Sequence, residues 1–175
     1  MNTKRLNEII RVNHAGEHGA VAIYKGQINA LKLMGDKKTL PLIYDMLEGE
    51  KVHAKEFDKI IEKKRTRATA LMPLWHLSGF TLGVASALGG RDTLMACTEA
   101  VEEVIDKHYS DQIKELEDSK KEPEILEIIK QFHEDELEHE EIAKNEISEN
   151  TPALKAFKKI VKVGCRAAIS LSEKI

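Results

Sequence analysis

Residues 132–141 read FHEDELEHEE and place Glu136 three positions before His139. On an α-helix this spacing puts the two side chains on one face. Phe132 and Ala143 lie on that face as well, so the helical pattern predicts that it is buried. A buried carboxylate without a partner is unfavourable by several kcal/mol, and this stretch therefore predicts a compensating group in the core.

A second Glu-x-x-His motif runs from Glu50 to His53, and none of the other histidines has Glu three residues before it. Each motif follows a further acid on the preceding predicted helix. Glu17 lies 33 residues before Glu50, and Glu102 lies 34 residues before Glu136. The chain thus repeats a helical hairpin that brings one lone Glu and one Glu-x-x-His, which is the ligand set of ferritin-like di-iron and di-manganese bundles.

Helical phase selects Glu102 over its neighbour Glu103 as the lone acid of the second hairpin. Glu102 shares a face with Leu94 and Tyr109, whereas Glu103 shares a face with Lys107. A ligand must face the core of the bundle, while a spare acid faces water. The predicted metal ligands are therefore Glu17, Glu50, His53, Glu102, Glu136 and His139.

Two divalent cations would compensate four buried carboxylates, because they carry four positive charges. Oxygen-rich ligands with one imidazole per metal suit iron or manganese better than a closed thiolate zinc site. His14 and His18 flank Glu17, and His133 lies one turn before Glu136. We expect these three histidines to have supporting or interface roles rather than to bind the metals directly.

The composition is typical of one helical domain of 175 residues, with 42% apolar and 33% charged residues and only ten Gly and four Pro. The formal net charge of −3 gives no reason to expect nucleic acid as a partner. Cys97 and Cys165 are isolated and no C-x-x-C occurs, which argues against a disulfide framework or a zinc ribbon. The first residues contain no apolar core of a signal peptide, so no secretory signal is expected.

Apolar periodicity predicts helices at about 3–33, 38–64, 92–120, 123–149 and 152–172, with an apolar segment at 68–90. Asp92 and Thr151 are the predicted N-caps of two of them. The predicted fold class is all-α, a ferritin-like four-helix bundle with a di-metal core, a hydrophobic crossover helix and a C-terminal helix. Residues 1–175 are expected to form a single domain built from two helical-hairpin repeats, about 3–64 and 92–149.

No charged residue of the Asp, Glu, Lys or Arg type occurs from Ala68 to Gly90. The glycines and Pro73 fit a membrane-spanning helix poorly, so two compatible interpretations remain: an amphipathic helix in the membrane interface, or a buried crossover between the hairpins. Gly79 and Gly83 would permit close approach of a neighbouring helix. The candidate residues for membrane contact and substrate access are Leu71, Met72, Leu74, Trp75, Leu77, Phe80 and Leu82.

Five stretches are specific in residues beyond the candidate ligands: RVNHAGEHGA (11–20), MPLWHLSGFTLG (72–83), ACTEAVEEVIDKHY (96–109), DELEHEEIA (135–143) and GCRAAISLSEKI (164–175). The stretches 72–83 and 164–175 contain no candidate ligand at all. Together the five stretches resemble the demethoxyubiquinone hydroxylases of ubiquinone biosynthesis over nearly the whole chain. The resemblance implies a carboxylate-bridged di-iron monooxygenase that uses O₂, and electrons ultimately from NADH, to hydroxylate a polyprenyl benzoquinone ring. It also implies that Glu50 and Glu136 bridge the two irons. His18 departs from it, since Tyr is expected after Glu17.

The resemblance further implies a peripheral membrane protein on the cytoplasmic face of a bacterial inner membrane or the matrix face of the mitochondrial inner membrane. Expected partners are a polyprenyl quinone, the membrane surface, and a small homo-oligomer or a lipid-binding accessory protein. His108 and Tyr109, beside Glu102, are candidate relay or quinone contacts, or simply core residues. Two alternatives stay open: a ferritin-like iron-storage or peroxide-scavenging protein, and a metal-free membrane- or lipid-binding helical adaptor.

Overall fold

The computed structural model describes residues 1–175 and contains six helices and no strand. The helices are α1 (Thr3–Met34), α2 (Leu40–Lys64), α3 (Met72–Leu88), α4 (Arg91–Ser119), α5 (Pro123–Glu146) and α6 (Pro152–Lys174). The predicted all-α fold, a ferritin-like bundle with a crossover helix and a C-terminal helix, is confirmed. Every predicted helix is present, and α5 ends three residues earlier than expected.

Local signals explain two of the helix ends. α1 stops at Gly35, whose φ of 72° is a left-handed conformation that glycine adopts without strain. Thr151 caps α6 as predicted, because its side chain accepts a hydrogen bond from the backbone N–H of Leu154. The prediction that Asp92 caps α4 is wrong, since Gly90 precedes the helix and Asp92 lies in its first turn. The Asp92 carboxylate instead accepts a hydrogen bond from the Ser148 hydroxyl at 2.6 Å and ties α4 to the α5–α6 connection.

Two apolar clusters fill the bundle formed by α1, α2, α4 and α5. The first joins the C-terminal half of α1 to the beginnings of α2 and α4, through residues such as Tyr24, Ile43 and Leu94. The second joins the beginning of α1 to the ends of α2 and α4 and the beginning of α5, and Phe57 and Phe132 belong to it. In each of the four helices, the candidate ligands lie between the two clusters, so the fold places them at mid-height in the bundle.

Helix α3 packs directly on α1, and glycines make this close approach possible. A Cβ atom at Gly83 would lie 2.0 Å from the carbonyl oxygen of Ile23, and one at Gly26 would lie 2.2 Å from the carbonyl oxygen of Phe80. Likewise, a Cβ atom at Gly79 would lie 2.9 Å from the carbonyl oxygen of Gly19. The backbones therefore contact each other in a manner that any side chain would prevent.

The apolar segment is a crossover between the hairpins and also leaves one apolar face uncovered. The buried residues of α3 are small: Gly79, Gly83, Ser86 and Ala87. Large apolar side chains of the same helix are exposed, among them Leu74, Leu77 and Phe80. None of the six helices is long and apolar enough to span a bilayer.

Candidate metal centre

The four helices bring the six predicted ligands together in two groups of four. One group contains Glu17, Glu50, His53 and Glu136, and the other contains Glu50, Glu102, Glu136 and His139. Within each group the ligand atoms all lie within 4.8 Å of one another. Glu50 and Glu136 belong to both groups, so two ions, one in each group, could share these two carboxylates.

The distances inside the groups suit ligands that surround a common ion. His53 Nδ1 lies 3.2 Å from Glu136 Oε1 and 3.5 Å from Glu17 Oε2. His139 Nδ1 lies 3.3 Å from Glu50 Oε1 and 3.5 Å from Glu136 Oε2. Two ligand atoms that bind one metal at about 2.1 Å and at right angles are about 3 Å apart. A small relaxation of the side chains is therefore sufficient for coordination.

Several atoms of the centre have no hydrogen-bond partner although they are buried. They are both carboxylate oxygens of Glu50, Oε2 of Glu136 and Nδ1 of His139. The four carboxylate residues expose at most 4% of their surface. Leaving such polar atoms unpaired is costly, and cations would compensate all of them at once. The donor set, oxygen-rich with one imidazole in each group and no thiolate, fits a pair of iron or manganese ions.

Protons alone are a poor substitute for these cations. Burial raises the pKa of Glu50 well above its usual value, and the neighbouring carboxylates Glu136 and Glu17 raise it further. Burial also raises the pKa of Glu102, and the neighbouring carboxylates Glu136 and Glu50 raise it further. Burial by itself lowers the pKa of His53, but its contacts with Glu136 and Glu17 outweigh this and raise the pKa to about 12. Like charges thus repel one another here, and a protonated imidazole relieves only part of the repulsion.

A tyrosine holds each of the lone acids. The Tyr24 hydroxyl donates a hydrogen bond to Glu102 Oε1 at 3.0 Å, and the Tyr109 hydroxyl donates one to Glu17 Oε1. Tyr109 was predicted as a relay or quinone contact, whereas Tyr24 was missed as a functional residue. The internal repeat contained the signal, because Tyr24 follows Glu17 by seven residues just as Tyr109 follows Glu102.

The His53 ring is fixed from both sides by α5. Its Nε2 atom lies 3.0 Å from Asp135 Oδ2, and its ring stacks on Phe132 with the centroids 3.9 Å apart. Nε2 can donate to Asp135, so loss of the Nδ1 proton to a bound cation would leave the Nδ1 lone pair directed to the centre. Sequence reasoning missed Asp135, which no spacing rule distinguishes from the surrounding acids.

The other candidate histidines lie outside the two groups. His108 Nε2 accepts a hydrogen bond from Gln112 Nε2 at 2.7 Å, and Gln112 pairs with Asn13. Burial lowers the pKa of His108. His133 contacts Asp106 instead of a candidate ligand.

An apolar cavity of about 420 Å³ opens between α1, α3, α4 and α6. It is lined mainly by hydrophobic side chains and includes the predicted access residues Trp75 and Leu82. Ala20, Ile23 and Val101 line both this cavity and a narrow crevice. The crevice continues to Tyr24, Thr98 and Glu102, and the buried Thr98 hydroxyl has no hydrogen-bond partner. The cavity therefore leads towards the second ligand group.

The remaining predicted access residues lie around the exposed end of α3. Leu74, Leu77 and Phe80 are exposed, while Leu71 and Met72 are half-buried. Helix α6 adds the exposed side chains Ile160, Val163 and Leu171. Trp75 joins the two helices, because its indole N–H donates to the Ser172 hydroxyl at 2.9 Å.

The family model described as "Ubiquinone biosynthesis protein COQ7" matches residues 4–172. The chain belongs to this family. It is 45% identical to the Mus musculus protein named "NADPH-dependent 3-demethoxyubiquinone 3-hydroxylase, mitochondrial" over 176 residues, which are 99% of this chain and 80% of the mouse protein. The Homo sapiens protein of the same name is 45% identical, over 97% of this chain and 78% of the human protein.

A relative from Rhodospirillum rubrum is similar over nearly the whole of this chain. The Rhodospirillum rubrum "3-demethoxyubiquinol 3-hydroxylase" is 40% identical, over 97% of this chain and 78% of that protein. The resemblance stated from the sequence is therefore confirmed. The names of the mouse and human relatives specify NADPH, where the resemblance implied NADH.

Proposed function

We propose that this protein is an O₂-dependent di-iron monooxygenase that hydroxylates the ring of a polyprenyl demethoxybenzoquinone, or of its quinol, in ubiquinone biosynthesis. The observation that carries the proposal is the pair of four-residue groups that share Glu50 and Glu136. Membership in the COQ7 family and the hydroxylase names of three relatives support the same reaction. Residues 1–175 would act as one domain, with hairpins 3–64 and 92–149 around the centre.

Each hairpin would contribute the terminal ligands of one iron. Glu17 and His53 would hold the first ion and Glu102 and His139 the second, while Glu50 and Glu136 would be shared by both. When bound, the iron pair would supply the redox chemistry that activates O₂ for transfer of one oxygen atom. Manganese fits the same donors, so metal analysis has to accompany the activity measurement.

The protein's own groups orient the ligands and exclude water. The Tyr24 and Tyr109 hydroxyls each occupy one oxygen of a lone acid, which leaves the other oxygen available for coordination. Asp135 keeps the His53 Nδ1 lone pair directed at the centre. Burial of the four acids keeps bulk water from the reacting groups, as a monooxygenase site requires.

The quinone ring would reach the centre through the apolar cavity. Its volume of about 420 Å³ lies in the usual range of about 300–1,000 Å³ for ligand sites. The crevice beyond it is bounded by small or aliphatic side chains at Ala20, Ile23 and Val101 and ends at Glu102. The crevice is too narrow for a ring in this conformation, so its side chains would have to move apart to admit the quinone. The isoprenoid tail would extend from the cavity towards the exposed ends of α3 and α6.

The exposed apolar side chains of α3 and α6 would dip into the surface of a membrane, where the substrate is dissolved. Lys155, Lys159 and Arg166 are exposed on α6 and suit anionic headgroups. The mouse and human relatives are named as mitochondrial, and the third relative is bacterial. We therefore propose peripheral association with the matrix face of a mitochondrial inner membrane or the cytoplasmic face of a bacterial one. The proposed protein partners are a second copy of this chain in a small homo-oligomer, a lipid-binding accessory protein, or both.

Transfer of a labelled oxygen atom tests the reaction. Iron-loaded protein receives the demethoxy quinone in lipid vesicles, ¹⁸O₂ and either NADPH or NADH with an electron carrier. One oxygen atom should enter the ring, and the other should leave as water after uptake of two electrons and two protons. Mass spectrometry should detect a product with one ¹⁸O atom, and an unlabelled or unchanged quinone under reducing conditions would overturn the proposal.

A pair of neighbouring acids provides a matched control for the ligand assignment. Glu102 is buried in the centre, whereas Glu103 pairs with Lys162 at the α4–α6 contact. Glu102→Gln should abolish hydroxylation and lower bound iron, and Glu103→Gln should change neither. Equal effects of the two substitutions would contradict the assignment.

The same iron-loaded protein can be used to test the two alternative functions, iron storage and a metal-free adaptor. An iron-storage protein would form a cage of hundreds of kilodaltons with many irons per chain, whereas a monooxygenase should contain about two. A metal-free adaptor would retain its function when Glu136 and His139 are both replaced by Ala. Size-exclusion chromatography with light scattering, combined with metal analysis, distinguishes the three.

A further inference from the structure

A second cluster of possible metal ligands lies outside the di-metal centre, between α1 and α2. It contains His14 and His18 from α1 and Asp58 from α2, with ligand atoms within 4.8 Å of one another. His14 Nε2 lies 2.9 Å from Asp58 Oδ1, and His18 Nε2 lies 3.0 Å from the same oxygen. None of these residues belongs to either group of the di-metal centre.

The geometry suits one small divalent cation that prefers nitrogen ligands. Two histidines four residues apart present their rings on one face of a helix. Ligand atoms in a tetrahedral zinc site lie about 3.4 Å apart, given metal–ligand distances of about 2.0–2.2 Å. The observed separations of 2.9 and 3.0 Å require an opening of a few tenths of an ångström to admit the ion.

The two sides of the cluster differ in exposure in a way that favours ion entry. The His14 side chain is only 9% exposed, whereas Asp58 is 53% exposed and opens the cluster to solvent. His76 of α3 lies beyond His18, with the ring centroids 5.8 Å apart. Burial lowers the pKa of His14 and also that of His76, so both rings are in the neutral form that binds metals.

We propose that this protein binds a third divalent cation of the zinc type through His14, His18 and Asp58, independently of the di-metal centre. His18 is essential to the site and is also the position where the chain departs from the Tyr expected by its resemblance to the hydroxylases. The ion would join α1 to α2 beside Glu17, on the outer side of the helix that carries this acid.

Zinc binding to the iron-loaded protein tests the site without measuring activity. Equilibrium dialysis against Zn²⁺, followed by analysis of both metals, should give one zinc per chain while the iron content stays unchanged. His18→Tyr and Asp58→Asn should each weaken zinc binding by at least about 10-fold, because each removes one of three ligands. Asp45→Asn, at an exposed position of the same helix as Asp58, should bind zinc like the unchanged protein.

Three results would overturn the proposal. They are the absence of zinc beyond background, zinc uptake matched by an equal loss of iron, and unchanged zinc affinity in His18→Tyr and Asp58→Asn. His18→Tyr introduces the residue that the resemblance expects, so it should fold even if Asp58→Asn does not. Circular dichroism before zinc addition checks this, and Co²⁺ substitution should give the intense visible absorption of tetrahedral cobalt only when all three ligands are present.

Discussion

The hairpin of α1 and α2 and the hairpin of α4 and α5 carry the same ligand pattern in different surroundings. His53 is 2% exposed and is fixed by Asp135 and Phe132 from the opposite hairpin. His139 is 13% exposed, and the position opposite its ring is occupied by Gly49. Gly49 corresponds to Asp135 in the internal repeat, since Gly49 comes directly before Glu50 and Asp135 directly before Glu136.

This difference shows that equal spacing does not produce equal sites. The half with His53 is closed and held by hydrogen bonds, whereas the half with Glu102 and His139 borders the crevice from the apolar cavity. In the proposed reaction, the first half would keep its ion in a constant geometry. The second half would be the one that meets the quinone.

Removal of a carboxylate that both halves share should have the largest effect. Glu136→Gln should weaken the binding of both ions by more than about 100-fold, because it removes a bridging ligand rather than an outer partner. Metal analysis after dialysis measures this. Glu138→Gln, at an exposed position on the same helix, is the control, and retention of two irons by Glu136→Gln would show that the halves do not share a ligand.

Asp135→Asn should affect metal binding in the two halves differently. It weakens the support of His53 only, so we expect a loss of about 10–100-fold in affinity for one ion and little change for the other. Titration with a chelator should then show one weak and one strong iron, while Glu134→Gln at the exposed neighbouring position should behave like the unchanged protein. Equal loss of both ions would refute the asymmetry.

The close packing of α3 on a neighbouring helix involves α1 of the first hairpin. Gly83→Ala should disrupt this contact. The new Cβ would overlap the Ile23 carbonyl and force the helices apart, which should cost about 1–3 kcal/mol of unfolding free energy. Denaturant unfolding measures this. Gly164→Ala has open space around its Cβ and should be neutral or slightly stabilising, so an equal loss in both variants would contradict close backbone packing.

Gly49→Ala should have the smallest effect and tests the open side of His139. Its Cβ would meet the His139 ring at 3.5 Å, an ordinary contact distance. Replacement of Gly within a helix by Ala should therefore raise the unfolding free energy by about 0.5–1 kcal/mol and leave two irons bound. A lower stability or loss of one ion would indicate that the His139 side is as tightly packed as the His53 side.

Much of the fold and of the candidate centre was predictable from local patterns. Apolar periodicity predicted the helices, and phase selected Glu102, which is 2% exposed in the bundle. Both Glu-x-x-His motifs were recognisable because their spacing is a property of a single helix, and the internal repeat linked each motif to a lone Glu. The role expected of Asp92 was wrong, because the residue that begins a helix depends on the preceding Gly90 and on the α5–α6 connection.

The sequence by itself determined which faces of the helices are buried and which six side chains lie on those faces, since a helix repeats its own geometry every few residues. Only the tertiary structure decided that Asp135 supports His53, that Tyr24 binds Glu102, and that His14 and His18 meet Asp58. Each of these contacts joins different helices, at separations of 40 residues or more. Helical phase specifies the direction of a side chain, but the partner it meets depends on how the helices pack.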